Sequence, residues 1–180
     1  MWVVVLRMGS IKNDGLFELA NPLFKRLKDP YYLCQAYCKL AVGHFEMDTP
    51  NSLLASAVDK VEEVIDHRKK WDLWLCLIET HYRVGELPPI WRFIENAVIE
   101  FNGIKEEEWR GLLDRFVPLV TRIRELKWAF KIAESIEDSE KRMYFVNRVV
   151  ESIGISELTP DIVKQYSQYI VTHDNFSAIS

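Results

Sequence analysis

The chain has 180 residues, 48% of them hydrophobic and 28% charged, which fits a folded globular protein with a substantial core and excludes a disordered chain. A net charge of −4 opposes a general nucleic-acid or anionic-membrane binder. Seven Gly and seven Pro are too few for long irregular loops.

Residues 1–13 form a lead-in; its apolar start, Met1 to Leu6, is too short to span a bilayer and has no basic residue before it. The missing signal-peptide pattern and an odd set of three cysteines point to a reducing, cytoplasmic setting. Residues 14–172 read as one helical domain, and 173–180 as a polar tail.

Leu16, Leu19, Ala20, Phe24 and Leu27 make a first amphipathic stripe, interrupted by Pro22. Asp29-Pro30 pairs a capping residue with a proline suited to the first helical turn. The helix it opens carries Tyr37, Leu40, Ala41 and His44. Asp48-Thr49-Pro50 starts another, with Leu53, Leu54, Ala57, Val61, Val64 and Ile65. Asp66 to Lys70 reads as a polar corner before a helix through Trp74, Leu77, Ile78 and His81, which Gly85 should end in the left-handed conformation.

Leu87-Pro88-Pro89 breaks the chain, and Ile90 to Phe101 carries Phe93, Ile94, Ala97 and Val98 at helical spacing. Asn102-Gly103 is a turn signal. A helix from Glu106 to Val120 follows, with Pro118 expected to kink or end it. Further helices start near Arg124, after the Asp138-Ser139 corner, and at Thr159-Pro160.

These helices keep a beat. Tyr37-Leu40-Ala41-His44, Trp74-Leu77-Ile78-His81, Trp109-Leu112-Leu113-Phe116 and Val146-Val149-Val150-Ile153 begin 37, 35 and 37 residues apart. A second register, Ala20-Phe24-Leu27, Ala57-Val61-Val64, Phe93-Ala97-Glu100 and Ala129-Ala133-Ile136, covers the intervening helices. Asp29, Asp66, Asn102 and Asp138 mark the corners. Two helices in a period near 36 predict a helical solenoid, because a lone hairpin cannot bury its apolar face.

On these residues the chain resembles the tetratricopeptide-repeat family. That family sets an aromatic, a Leu, a small residue and a Tyr on its first helix and closes it with glycine. Trp74, Leu77, Ile78, His81 and Gly85 follow this pattern, with Ile78 where a small residue is usual. Ala57-Val61-Val64 and Ala129-Ala133-Ile136 follow the second-helix spacing. The resemblance implies an all-α, right-handed α-α superhelix of about eight or nine antiparallel helices. It also implies a non-catalytic scaffold or adaptor that holds a partner peptide or helix on the concave face. An RNA-binding helical repeat, of the pentatricopeptide type, is the alternative; the acidic balance disfavours nucleic acid as a partner.

On that concave face, Glu79, Asp114 and Glu151 fall in register on successive units. Asp72 and Glu107 share another position, with Arg110 and Asn147 beside them. Such an acidic ladder would favour a basic protein or peptide; the same charges also suit the solvated side of amphipathic helices. A homo-oligomer is a further option, and no membrane association is expected.

Cys34, Cys38, Cys76 and His44 could supply zinc ligands, but the sequence shows no four convergent ligands and free Cys usually packs in cores, so no metal or cofactor is expected. His44 and His81 fit core positions; His67 and His173 fit the surface. Trp2, Trp71 and Trp91 lie off the main registers, and an exposed one would mark a contact surface. No phosphate loop, nucleophile elbow or zinc-protease helix is present.

Overall fold

The structure, a computed structural model, describes residues 22, 24, 26–43, 50–85, 89–105, 109–122, 126–153, 159–160, 163–164 and 167. Among them are seven helices and no strand. They are α1 (Pro30–Gly43), α2 (Pro50–Glu62), α3 (His67–Val84), α4 (Ile90–Gly103), α5 (Trp109–Arg122), α6 (Leu126–Glu134) and α7 (Ser139–Ser152). No helix among the described residues is long and apolar enough to cross a membrane. The chain divides into two compact units, Met1–Gly103 and Ile104–Ser180.

The corner aspartates set the helix starts. Asp29 Oδ1 accepts the Tyr31 amide at 2.9 Å, and Pro30 opens α1 without the N–H that a first-turn position leaves unpaired. Asp66 Oδ1 accepts from the Lys69 amide at 2.7 Å, so His67 to Lys70 form the first turn of α3 and are not a separate corner. Asp138 caps α7 in the same way, through the Lys141 amide at 2.9 Å. Gly85 stops α3 at φ 80°, ψ 9°, with its N–H turned back to the carbonyls of His81 and Tyr82. The Val163 amide donates to the Thr159 carbonyl at 3.0 Å, a helical first turn where Thr159-Pro160 leads one to expect it.

One further expectation changes and another is narrowed. Asn102 and Gly103 lie inside the last turn of α4, not in a turn after it. The glycine serves a close approach: a Cβ on Gly103 would lie 2.8 Å from His67 Cγ. Pro118 does not end its helix, since α5 continues to Arg122. The missing N–H forfeits one bond, to the Asp114 carbonyl, while Val117, Val120 and Phe116 stay buried around it.

In the first unit, α1 packs on α2 and α3, α2 on α3, and α3 on α4. Phe24, Ala36, Leu40, Ala41, Leu53 and Leu54 form one apolar cluster, and the Phe24 ring stacks on Tyr37 at 5.4 Å. Trp74 stacks on Phe93 at 5.5 Å and His81 leans on the same ring at 4.9 Å, tying α3 to α4. His81 is a buried core histidine, as its register implies. Trp71 is fully buried, with the Arg68 guanidinium 5.6 Å from its ring, so it marks no contact surface; Trp91 is half-buried.

In the second unit, α5 and α6 both pack on α7 and touch each other. Leu112, Leu113, Phe116, Ala129, Ala133, Ile136, Phe145, Val146 and Val149 are its buried residues of largest consequence, with Phe116 and Phe145 rings 5.9 Å apart. In both units every described member of the two sequence registers is buried or half-buried. Ala20 and His44, and the stripe from Leu16 to Leu19, lie outside the described residues, as does most of the helix expected after Pro160.

Candidate functional site

Of the expected partner-binding residues, Asp72 and Glu79 lie on α3 of the first unit, and Arg110 and Asp114 on α5 and Asn147 and Glu151 on α7 of the second. Asp72 lies one turn after Arg68, with Oδ2 at 3.5 Å from its Nε, and Glu79 is paired one turn on with Arg83. Helical i,i+4 spacing brings such partners together. Lys69 sits 5.9 Å above the Tyr31 ring. Burial pushes the Tyr31 phenol up, and the charge of Asp72 adds to it.

Cys34 and Cys38 on α1 are sealed, and Cys76 on α3 is partly buried. Neighbouring thiols and burial push the Cys38 and Cys76 thiols up. The Thr80 hydroxyl donates to the Cys76 carbonyl at 2.7 Å. Among the described residues no three His, Cys, Asp or Glu side chains come together to hold a metal ion. His44, weighed above as a ligand, lies outside the described residues.

In the second unit, side chains of α5 and α7 form one connected strip. Arg110 donates to Glu140 Oε1 at 2.9 Å. Its guanidinium lies 5.1 Å from the Trp109 ring and 5.8 Å from the Tyr144 ring. Those two rings meet edge-to-face at 5.2 Å. The Tyr144 hydroxyl donates to Asp114 Oδ1 at 3.0 Å, and Arg148 Nε donates to the same oxygen at 2.8 Å. Arg148 then reaches Glu151 Oε2 at 2.6 Å. Burial pushes the Tyr144 phenol up, and the Asp114 carboxylate beside it adds to the rise. Asn147 is half-buried on α7, and Glu107 lies outside the described residues.

The structure thus joins Arg110, Asp114 and Glu151 through two residues that sequence reasoning left out, Tyr144 and Arg148, and pairs Arg110 with a third, Glu140. A signal existed. Tyr144 holds the Asp72/Glu107 position of its unit, and Arg148 stands four residues beyond it and three before Glu151. The carboxylates are not a bare negative ladder. Asp72, Glu79, Asp114 and Glu151 each have a guanidinium from their own unit.

A second polar cluster was also missed. Glu100 is a buried carboxylate, and its Oε2 lies 2.6 Å from His67 Nδ1 while Oε1 lies 3.4 Å from Lys70 Nζ. Lys70 also reaches Glu62 at 3.2 Å. The cluster ties the end of α2 and the end of α4 to the start of α3.

Comparison with protein families, curated proteins and solved structures finds no match to this chain.

Proposed function

We propose that the chain is a non-catalytic, tetratricopeptide-like helical-repeat scaffold that holds a protein partner, as an extended peptide or a helix, on the exposed faces of the first helices of its hairpins. Helices two apart in sequence, α1 with α3 and α5 with α7, pack together within their units, as such a repeat requires. The observation that carries the reading is the α5–α7 strip. Glu140, Arg110, Trp109, Tyr144, Asp114, Arg148 and Glu151 are held in fixed geometry at or near the surface, with aromatic and guanidinium groups of the kind enriched at interface centres.

Three carboxylates against two guanidiniums, 3 − 2, leave this strip one surplus negative charge. A partner that brings a Lys or Arg therefore fits it better than an acidic one.

Affinity capture from native lysate with the full chain tests the reading against a variant carrying Arg110→Ala and Tyr144→Ala. Both residues lie outside the buried core, so the variant should keep its helical circular dichroism. The expected result is a protein partner retained by the native chain and lost from the variant. Equal retention by both, or RNA retention that falls steeply with salt, overturns it.

A further inference from the structure

We propose that Trp109, Tyr144 and Glu140 form a receptor for one arginine side chain of a protein partner, and that Arg110 is its resident plug. The proposal rests on the reading of the α5–α7 strip as a partner surface and names the group that the partner inserts there.

The resident guanidinium shows what fits. Arg110 lies 5.1 Å from the centroid of the Trp109 ring and 5.8 Å from that of Tyr144. The rings stand at 90° with centroids 5.2 Å apart, so they make two walls of a corner. Glu140 Oε1 closes the corner by accepting from Arg110 at 2.9 Å. A planar guanidinium can lie on a ring face while the N–H groups on its edge donate to a carboxylate. A lysine ammonium is a compact, strongly hydrated charge with no flat face to stack. Two helices furnish the corner: Trp109 opens α5, and Glu140 and Tyr144 stand one turn apart at the start of α7. The Tyr144 hydroxyl is held by Asp114 at 3.0 Å, so this wall stays in place without Arg110.

Exposure makes the plug removable. The side chains of Arg110 and Glu140 are 63% and 69% exposed. An ion pair so open to water is screened and contributes little. Arg110 regains hydration and rotamer freedom when it leaves. A partner's arginine arrives with surrounding chain that shuts water out, which strengthens both the ring contact and the ion pair. A Cβ at Gly111 would meet nothing within 4 Å, so that side of α5 is open to such a chain. The other ring-bound cations fit less well. Trp71, under Arg68, is fully buried, and the cation over Tyr31 is the Lys69 ammonium.

The test titrates the full, isotope-labelled chain with end-blocked Gly-Ser peptides carrying one central arginine, lysine, citrulline or trimethyl-lysine. It follows the Trp109 indole resonance, identified with Trp109→Phe. The arginine peptide should move that resonance at lower concentration than the lysine peptide. Citrulline, which keeps the shape without the charge, should leave it in place. Arg110→Ala empties the corner and should bind the arginine peptide about two- to fivefold more tightly than the native chain, the factor expected from removing an exposed ion-pair competitor. Adding Glu140→Gln to that variant should undo a similar factor. Both side chains are exposed, so both variants should keep the native circular dichroism. Equal binding of the arginine and lysine peptides, a preference for trimethyl-lysine, unchanged or weaker binding by Arg110→Ala, or no shift with any peptide overturns the arginine site. The lysate capture, in which the paired variant also loses the Tyr144 wall, tests the scaffold reading separately.

Discussion

Gly103→Ala offers a sign reversal that depends on one neighbour. Gly103 has no positive φ, and it ends α4, so alanine suits the backbone and should stabilise the helix by about 0.5–1 kcal/mol. The new Cβ, however, would stand 2.8 Å from His67 Cγ and 2.9 Å from Cδ2 and Nδ1. The ring has to leave, and with it goes the 2.6 Å bond to Glu100. A hydrogen bond to a charged group contributes about 1.5–3 kcal/mol when buried; with the His67 side chain 59% exposed and that of Glu100 11% exposed, about 1 kcal/mol is a fair share. The two effects nearly cancel, so Gly103→Ala in the native chain should be neutral or slightly destabilising. In a His67→Ala background the clash and the bond are both gone, and Gly103→Ala should stabilise by about 0.5–1 kcal/mol. The coupling between the two positions is then about 1 kcal/mol, readable from urea midpoints of the four proteins at constant slope. Equal effects of Gly103→Ala in both backgrounds would refute the reasoning.

Two further outcomes follow from the helices and the thiols. Pro118→Ala returns an N–H to the exposed middle of α5 and lets the Asp114 carbonyl be paired, so it should raise stability by about 1–3 kcal/mol in urea melts; a lower midpoint would mean that the proline is packed against something. The thiols of Cys38 and Cys76 are both pushed up in the folded state. Stability they contribute is therefore full below the ordinary thiol value, about 8.5, and is lost as pH rises from there through their folded values. Under reducing conditions the native chain should lose stability above that point more steeply than Cys38→Ala/Cys76→Ala, and parallel curves would contradict it.

What could be read from the residues alone was the part governed by local rules. Asp29, Asp66 and Asp138 announce helix starts because a short carboxylate reaches amides two or three residues ahead, a contact that needs no knowledge of the rest of the chain. Gly85 is legible for a similar reason, since a left-handed residue after an apolar run has few other uses. The register pairs Leu77/Ile78 and Leu112/Leu113 were legible because one helix face has to find apolar cover somewhere. Asn102-Gly103 looked like a turn because the same glycine that permits a turn also permits contact, and the ring it admits is 36 residues earlier.

Polar partners across helices obey no such local rule, which is why the candidate face was only half visible. Asp114 could be placed on an exposed face from its spacing, but its hydroxyl and guanidinium donors come from Tyr144 and Arg148, 30 and 34 residues on. Asp72, Glu79 and Glu151 spend their charge on an arginine of their own helix, whereas that of Asp114 is taken up by the next helix of the same kind. Glu100 shows that a stricter reading was available. It occupies the register position that Val64 and Ile136 fill with apolar side chains, so it had to be buried, and a buried carboxylate requires a cation. The period of the repeat then limits the search to the start of the preceding helix, where His67 and Lys70 stand. An anomaly inside a repeat therefore carries more about long-range contacts than agreement with the repeat does, because the exception has to be compensated at a position the period itself locates.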